Sequence, residues 1–127
     1  MSIPQIPTSW GEVIDKITIL EIKSEKLAEP RALANVRREL ALLTEIAASV
    51  SGGNIAEFKR QLRLLNETLW DTEDDIRAKE AAGQFDQEFI KLARSVYKTN
   101  DARGELKRRI NVELASELME EKSYKKY

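Results

Sequence analysis

The stretch NIAEFKRQLRLLNETLWDTEDDI, residues 54–76, carries a seam at Ile55, Phe58, Leu62, Leu65, Leu69, Thr72 and Ile76. The intervals alternate between three and four residues, which places all seven side chains on one side of a helix. A second stretch, LANVRRELALLTEIAASV, residues 33–50, repeats the pattern with Leu33, Val36, Leu40, Leu43, Ala47 and Val50. A seam of this kind has to be buried against other helices. The fold class is therefore all-α: an antiparallel bundle of four helices, five if the last one breaks, built from two helical hairpins. Residues 1–127 read as a single helical-bundle domain, with 1–8 as an extended arm and 120–127 as a tail.

Composition agrees. Ala, Glu, Lys, Leu and Arg make up about half of the chain, the usage of long helices and coiled coils. Charged residues reach 34%, which suits the large outer surface of long helices. Net charge is −1, so the general electrostatic drive for nucleic-acid binding is missing, and no nucleic-acid partner is expected. The basic runs Lys107, Arg108, Arg109 and Lys122, Lys125, Lys126 read as a solvated face and a solvated tail. The chain has neither Cys nor His, which excludes Cys/His zinc sites, disulfides, thiol redox chemistry and every triad that uses His. Acid–base work would fall to Asp, Glu, Lys or Tyr, and any metal would be a hard cation such as Mg²⁺. No apolar run is long enough to cross a membrane and no signal-like start is seen, so a soluble, cytoplasmic protein without a membrane partner is expected.

Pro4 and Pro7 keep the arm extended. Ser9-Trp10-Gly11-Glu12 fits a capping box, and helix 1 runs from there to about Ala28. Its apolar residues Val13, Ile14, Ile17, Ile19, Leu20 and Ile22 wrap more than one face, so it packs on two sides. Pro30 opens helix 2, which ends near Ser51-Gly52-Gly53. Asn54 to Glu57 resembles a second capping box, and helix 3 continues to Gly83. Asp86 caps helix 4, which reaches about Met119, with Asn100, Asp101 and Gly104 weakening its middle. The terminal EEKSYKKY frays unless its tyrosines dock.

Polar groups collect on helices 3 and 4. Glu67, Asp71 and Asp74 recur at i, i+4, i+7 and could hold Mg²⁺ through carboxylate oxygens. Helical nucleotide pyrophosphohydrolases use carboxylate pairs of this sort, although their E-x-x-E…E-x-x-D pattern is not cleanly present and Glu12-x-x-Asp15 matches half of it. Against that stands a row of interhelical ion pairs, with Asp74 opposite Arg94, Asp71 near Tyr97 and Lys98, and Glu67 reaching toward Asp101 or Arg103. Helix 4 carries a polar stripe of Tyr97, Asn100, Gly104, Lys107 and Asn111, whose glycine admits another backbone or leaves room for a ligand. Asn66, Trp70, Glu73 and Arg77 on helix 3 match its spacing. Together they could line a cleft with Trp70 as a flat wall. Trp10 and Gly11, at a helix start, read as a plain cap.

Four segments in order, SWGEVIDKITILEIKSEKL, LWDTEDDIRAKE, VYKTNDARGELKRRIN and EEKSYKKY, resemble a bacterial family known as domain of unknown function 6165. That family more often has Ile than Thr after Leu-Trp-Asp, so Thr72 is a local departure that weakens the seam. The resemblance implies a small bacterial protein and supplies no reaction, cofactor or catalytic residue.

Two functional readings remain open. One is a helical protein–protein interaction or accessory module, self-associating through apolar positions such as Leu42, Ile46 and Leu64 that exceed one seam per helix. The other is a small-molecule-binding protein or Mg²⁺-dependent enzyme acting on a phosphorylated or sugar-nucleotide ligand between helices 3 and 4. There Asn66, Trp70, Tyr97, Asn100, Arg103 and Lys107 would bind ligand, and Glu67, Asp71 and Asp74 would hold the metal.

Overall fold

The computed structural model describes residues 2–127. Four helices follow one another: α1 (Trp10–Lys26), α2 (Pro30–Ala47), α3 (Gly53–Ala81) and α4 (Gln87–Glu113), with one 3₁₀ turn, Ala48–Val50, after α2. No strand occurs among the described residues.

The caps explain where the helices begin. The Ser9 hydroxyl accepts from the Glu12 N–H at 3.3 Å, and Asp86 accepts from the Phe89 N–H at 3.0 Å. Glu29 caps α2 by accepting from the N–H groups of Arg31 and Ala32, with Pro30 in the first turn. The second capping box does not form. Gly52 is the N-cap of α3, and the Asn54 amide donates across to Glu113 at 3.1 Å. Gly83 sits at φ +65° in the α3–α4 turn, the left-handed conformation that glycine adopts without strain.

The α3 seam is the spine of the molecule. Ile55, Leu62 and Thr72 on it are buried, and Phe58, Leu65, Leu69 and Ile76 are half-buried. Thr72 keeps its place in the seam despite its hydroxyl, at 8% exposure. Opposite it, Leu106 and Ile110 of α4 are buried, and α3 and α4 pack together as a long antiparallel hairpin. At 29 and 27 residues these helices run about 43 and 40 Å. Helix α4 is continuous through Asn100–Gly104.

Helix α1 packs on α2, α3 and α4, which accounts for its broad apolar wrap. Ile14, Ile17, Leu20 and Ile22 are all buried. The core thus sits among α1, α3 and α4, while α2 leans chiefly on α1. On the α2 seam Ala47 is buried and Leu33, Val36, Leu40, Leu43 and Val50 are half-buried, whereas Leu42 and Ile46 stay exposed, as does Leu64 on α3.

Helix α4 stops at Glu113, short of Met119. Ala115 takes φ +49°, an uncommon left-handed conformation for a residue with a Cβ, and the Ser116 N–H donates to the Asn111 carbonyl at 2.8 Å. Residues 114–127 then return along α4 as a strap.

Candidate anion-binding groove

Where α1 meets α4, polar side chains replace apolar ones. A Cβ on Gly11 would lie 2.6 Å from the Lys107 carbonyl oxygen, so only glycine permits this approach. The Gly11 N–H donates to Asn111 Oδ1 at 2.6 Å, and the Trp10 N–H donates to Ser116 Oγ at 3.0 Å. The open N–H groups of the α1 start are therefore satisfied by the end of α4, consistent with a plain cap. Glu12 does not reach back to Ser9. Its carboxylate pairs with Lys107 Nζ at 2.5 Å.

One turn on, Asp15 is 2% exposed. Its Oδ1 accepts from Asn66 Nδ2 and Arg103 Nε, each at 2.9 Å, and its Oδ2 accepts from Arg103 Nη2 at 2.5 Å. Asn66 also donates to the Thr18 hydroxyl at 2.8 Å, which in turn donates to the Asp15 carbonyl. Among the described residues no buried side-chain polar atom lacks a partner, so this network is complete. Its role is to hold Arg103, whose Nη1 also donates to Asn100 Oδ1 at 3.3 Å. The Asp15 carboxylate raises the pKa of Arg103 above its ordinary value.

Beyond Arg103 lies a groove of about 910 Å³ between α4 and the strap. Tyr97, Asn100, Arg103, Gly104 and Lys107 form its α4 wall. Lys122, Tyr124, Lys125, Lys126 and Tyr127 form the other. The strap is fastened at both ends. Near α4's end, Glu120 pairs with Lys122 and with Lys107 at 3.2 Å, and Arg108 pairs with Glu121 at 3.4 Å. At the far end the Tyr127 hydroxyl donates to Asp101 at 2.6 Å and its ring meets Tyr97 edge-on at 5.0 Å between centroids. Lys122 crosses Gly104 so closely that a Cβ there would come within 3.1 Å of its stem. The room left by Gly104 is filled by the strap.

Arg103, Lys107, Lys122, Lys125, Lys126 and Asp101 are the charged residues of its lining; Arg103, Lys107 and Lys122 are paired from behind by Asp15, Glu12 and Glu120, and Lys125 and Lys126 form no ion pair among the described residues. Glu120 borders the groove and is held as an anion, its pKa lowered to about 2 first by the Lys122 ammonium and further by Lys107. Lys122 is correspondingly raised by Glu120, and Tyr127 is raised by Asp101.

The structure places Tyr97, Asn100, Arg103 and Lys107 together in this groove. Asn66 is buried behind it on Asp15, and Trp70 is half-buried on α3 outside the lining. The space lies between α4 and the strap, rather than between α3 and α4. Lys107 is a wall of it rather than a solvated charge, its side chain only 12% exposed, while Lys122, Lys125 and Lys126 line the groove and stay exposed.

The acidic trio is dispersed. Glu67 accepts from Arg63 Nε at 3.0 Å, while Asp71 and Asp74 are exposed. Among the described residues no three acidic groups gather closely enough to hold a metal ion. Carboxylates one turn apart on a helix start about 5–6 Å from one another, and no second element brings oxygens to them. Among the described residues the expected pairs of Asp74 with Arg94, Asp71 with Lys98 and Glu67 with Arg103 do not form; for the last, α1 supplies Asp15 to Arg103 and Arg63 takes Glu67.

The model of a family described as "Family of unknown function (DUF6165)" matches residues 5–127. The chain belongs to this family. No curated protein and no solved structure matches it. Family membership therefore carries no activity, and the groove has to be read from its own chemistry. No described helix is long and apolar enough to cross a membrane.

Asp15, Lys122, Tyr124, Lys125, Lys126 and Tyr127 escaped the sequence reading as site residues. Signals existed: an aspartate inside the apolar wrap of α1, and tyrosines interleaved with lysines in the tail.

Proposed function

We propose that this protein binds a phosphorylated small molecule in the groove between α4 and the strap. The observation that carries the reading is that Lys125 and Lys126 line the groove with no ion-pair partner among the described residues, beside Arg103, Lys107 and Lys122, whose charges are met by Asp15, Glu12 and Glu120. An anionic ligand would supply the counter-charge that the fold leaves unsupplied at these two lysines. The cavity volume lies within the range of small-molecule sites. The buried Asp15 anchor fixes Arg103 before any ligand arrives, so part of the ordering cost is met in folding. Mg²⁺ enters this reading as a counter-ion brought by the phosphate, with Asp101 the carboxylate at hand. A cytoplasmic setting, rich in phosphorylated metabolites, suits it. Isothermal titration with inorganic pyrophosphate at low salt tests it. Saturable binding weakened at least tenfold in Lys125→Glu/Lys126→Glu supports the reading, and the absence of any heat of binding contradicts it.

A second reading, self-association, is favoured by Leu42 and Ile46. They stand one turn apart on α2 with 41% and 55% exposure. Sedimentation that shows only a 14.5 kDa species across the micromolar range would refute it.

A further inference from the structure

The strap is held to α4 by side chains alone. Among the described residues no backbone–backbone hydrogen bond involves residues 117–127, and of these only Met119 is half-buried. The links run from Glu120 to Lys107 at 3.2 Å, from Glu121 to Arg108 at 3.4 Å and from Tyr127 to Asp101 at 2.6 Å. Contacts of this kind between exposed groups each contribute little, so the strap can shift without disturbing the core.

A smaller cavity of about 320 Å³ adjoins the groove and shares Gly104, Lys107 and Lys122 with it. Glu120 stands in the wall of that smaller cavity and reaches both ammonium groups where the two spaces meet. Lys107 also holds Glu12, so two cations and two carboxylates close on one another. The two carboxylates are not equivalent. Glu12 belongs to the first turn of α1, which is fixed against α4 by the close approach of Gly11 to Lys107. Glu120 rides on the strap, so it is the one that an incoming anion can displace.

We propose that Glu120 is a built-in competitor for the groove: its carboxylate occupies the position at Lys107 and Lys122 that a ligand phosphate takes, and ligand binding expels it from the two ammonium groups. This rests on the anion-binding reading and adds the regulation of that site. Lys125 and Lys126 are open to ligand in either state, whereas Lys107 and Lys122 become available only on exchange. Both of these ammonium groups are paired before and after the exchange, so neither state strands a charge. The groove's affinity is lowered by the population in which Glu120 holds the position.

The test is a calorimetric titration of the full chain with inorganic pyrophosphate at fixed ionic strength, comparing wild type with Glu120→Gln and Glu121→Gln. Glutamine keeps the side-chain length and an oxygen that accepts from either ammonium, and the Tyr127 and Arg108 links remain. A competitor predicts that Glu120→Gln binds pyrophosphate roughly 5- to 50-fold tighter, because a carboxylate no longer contests the place of a multiply charged anion. Glu121→Gln removes the same charge one residue away, and its affinity should stay within about twofold of wild type, since solvent and salt screen the more distant charge. Equal or weaker binding by Glu120→Gln would overturn the competitor and leave anion binding standing. Equal gains in both variants would mean general charge repulsion and would overturn it as well. No binding by any of the three proteins would overturn both readings.

Discussion

Replacing Asp15 by Asn preserves the shape of the side chain and removes its charge. The wild-type carboxylate accepts three hydrogen bonds, from Asn66 Nδ2, Arg103 Nε and Arg103 Nη2. Either orientation of an asparagine amide turns one of those oxygens into an NH₂, so a donor faces a donor. Breaking a buried ion pair costs roughly 3–5 kcal/mol when the surviving charge is stranded. Here the Asp15 side chain is 3% exposed but that of Arg103 is 26% exposed, so the guanidinium regains part of its solvation. The expected loss is therefore lower, about 2–4 kcal/mol. With an m-value of about 2 kcal/mol/M, the urea midpoint should fall by roughly 1–2 M at unchanged m. Arg103→Met placed on Asp15→Leu should recover much of what Asp15→Leu alone loses, because an apolar pair leaves no charge unpaired. An Asp15→Asn midpoint within experimental error of wild type would refute the anchored pair.

Leu62, fully buried on the α3 seam, should lose roughly 2–5 kcal/mol on truncation to Ala, and half-buried Leu65 should lose less; equal urea midpoints for the two variants would contradict the seam's orientation. Gly11→Ala drives a Cβ into the Lys107 carbonyl at 2.6 Å, a backbone atom that cannot swing away, and should destabilise by about 1–3 kcal/mol despite alanine's better helix propensity; a higher melting temperature would show that α1 and α4 are not in such contact. Glu120 has a folded pKa of about 2 against an ordinary 4.5, so its contribution to holding the strap should be fully present above pH 4.5 and lost as pH falls through about 2. Backbone amide resonances of residues 120–127 followed against pH test this, and a midpoint at the ordinary carboxylate value would contradict it.

The bundle was legible because burial repeats along a helix. Ile55, Leu62 and Thr72 are buried at the spacing that the seam dictates, and Asp86 caps α4 because its side chain acts three residues away. The wrap of α1 correctly implied several neighbours, and Tyr97, Asn100 and Lys107 of the polar stripe on α4 share one wall, though of a groove bordered by the strap rather than by α3. Partners across the fold were not legible. Asp15 and Arg103 stand 88 residues apart and meet only because α1 crosses α4 at the glycine contact. The strap reverses at Ala115, which carries none of the chemistry that marks a turn, so the sequence pattern carries the helix past its true end. Spacing alone also misdirected the acidic trio, since one helix face sets carboxylates in a row while a metal needs them to converge.

The central claim is that the groove between α4 and the strap is where a phosphorylated ligand binds. A two-dimensional ¹⁵N–¹H NMR titration of the full chain with pyrophosphate tests it residue by residue. The account predicts saturable shifts concentrated at Tyr97–Lys107 and in residues 120–127, with Arg37 and Arg38 on α2 unmoved. Shifts spread over surface cations throughout the molecule, or centred on α2 or α3, would contradict it.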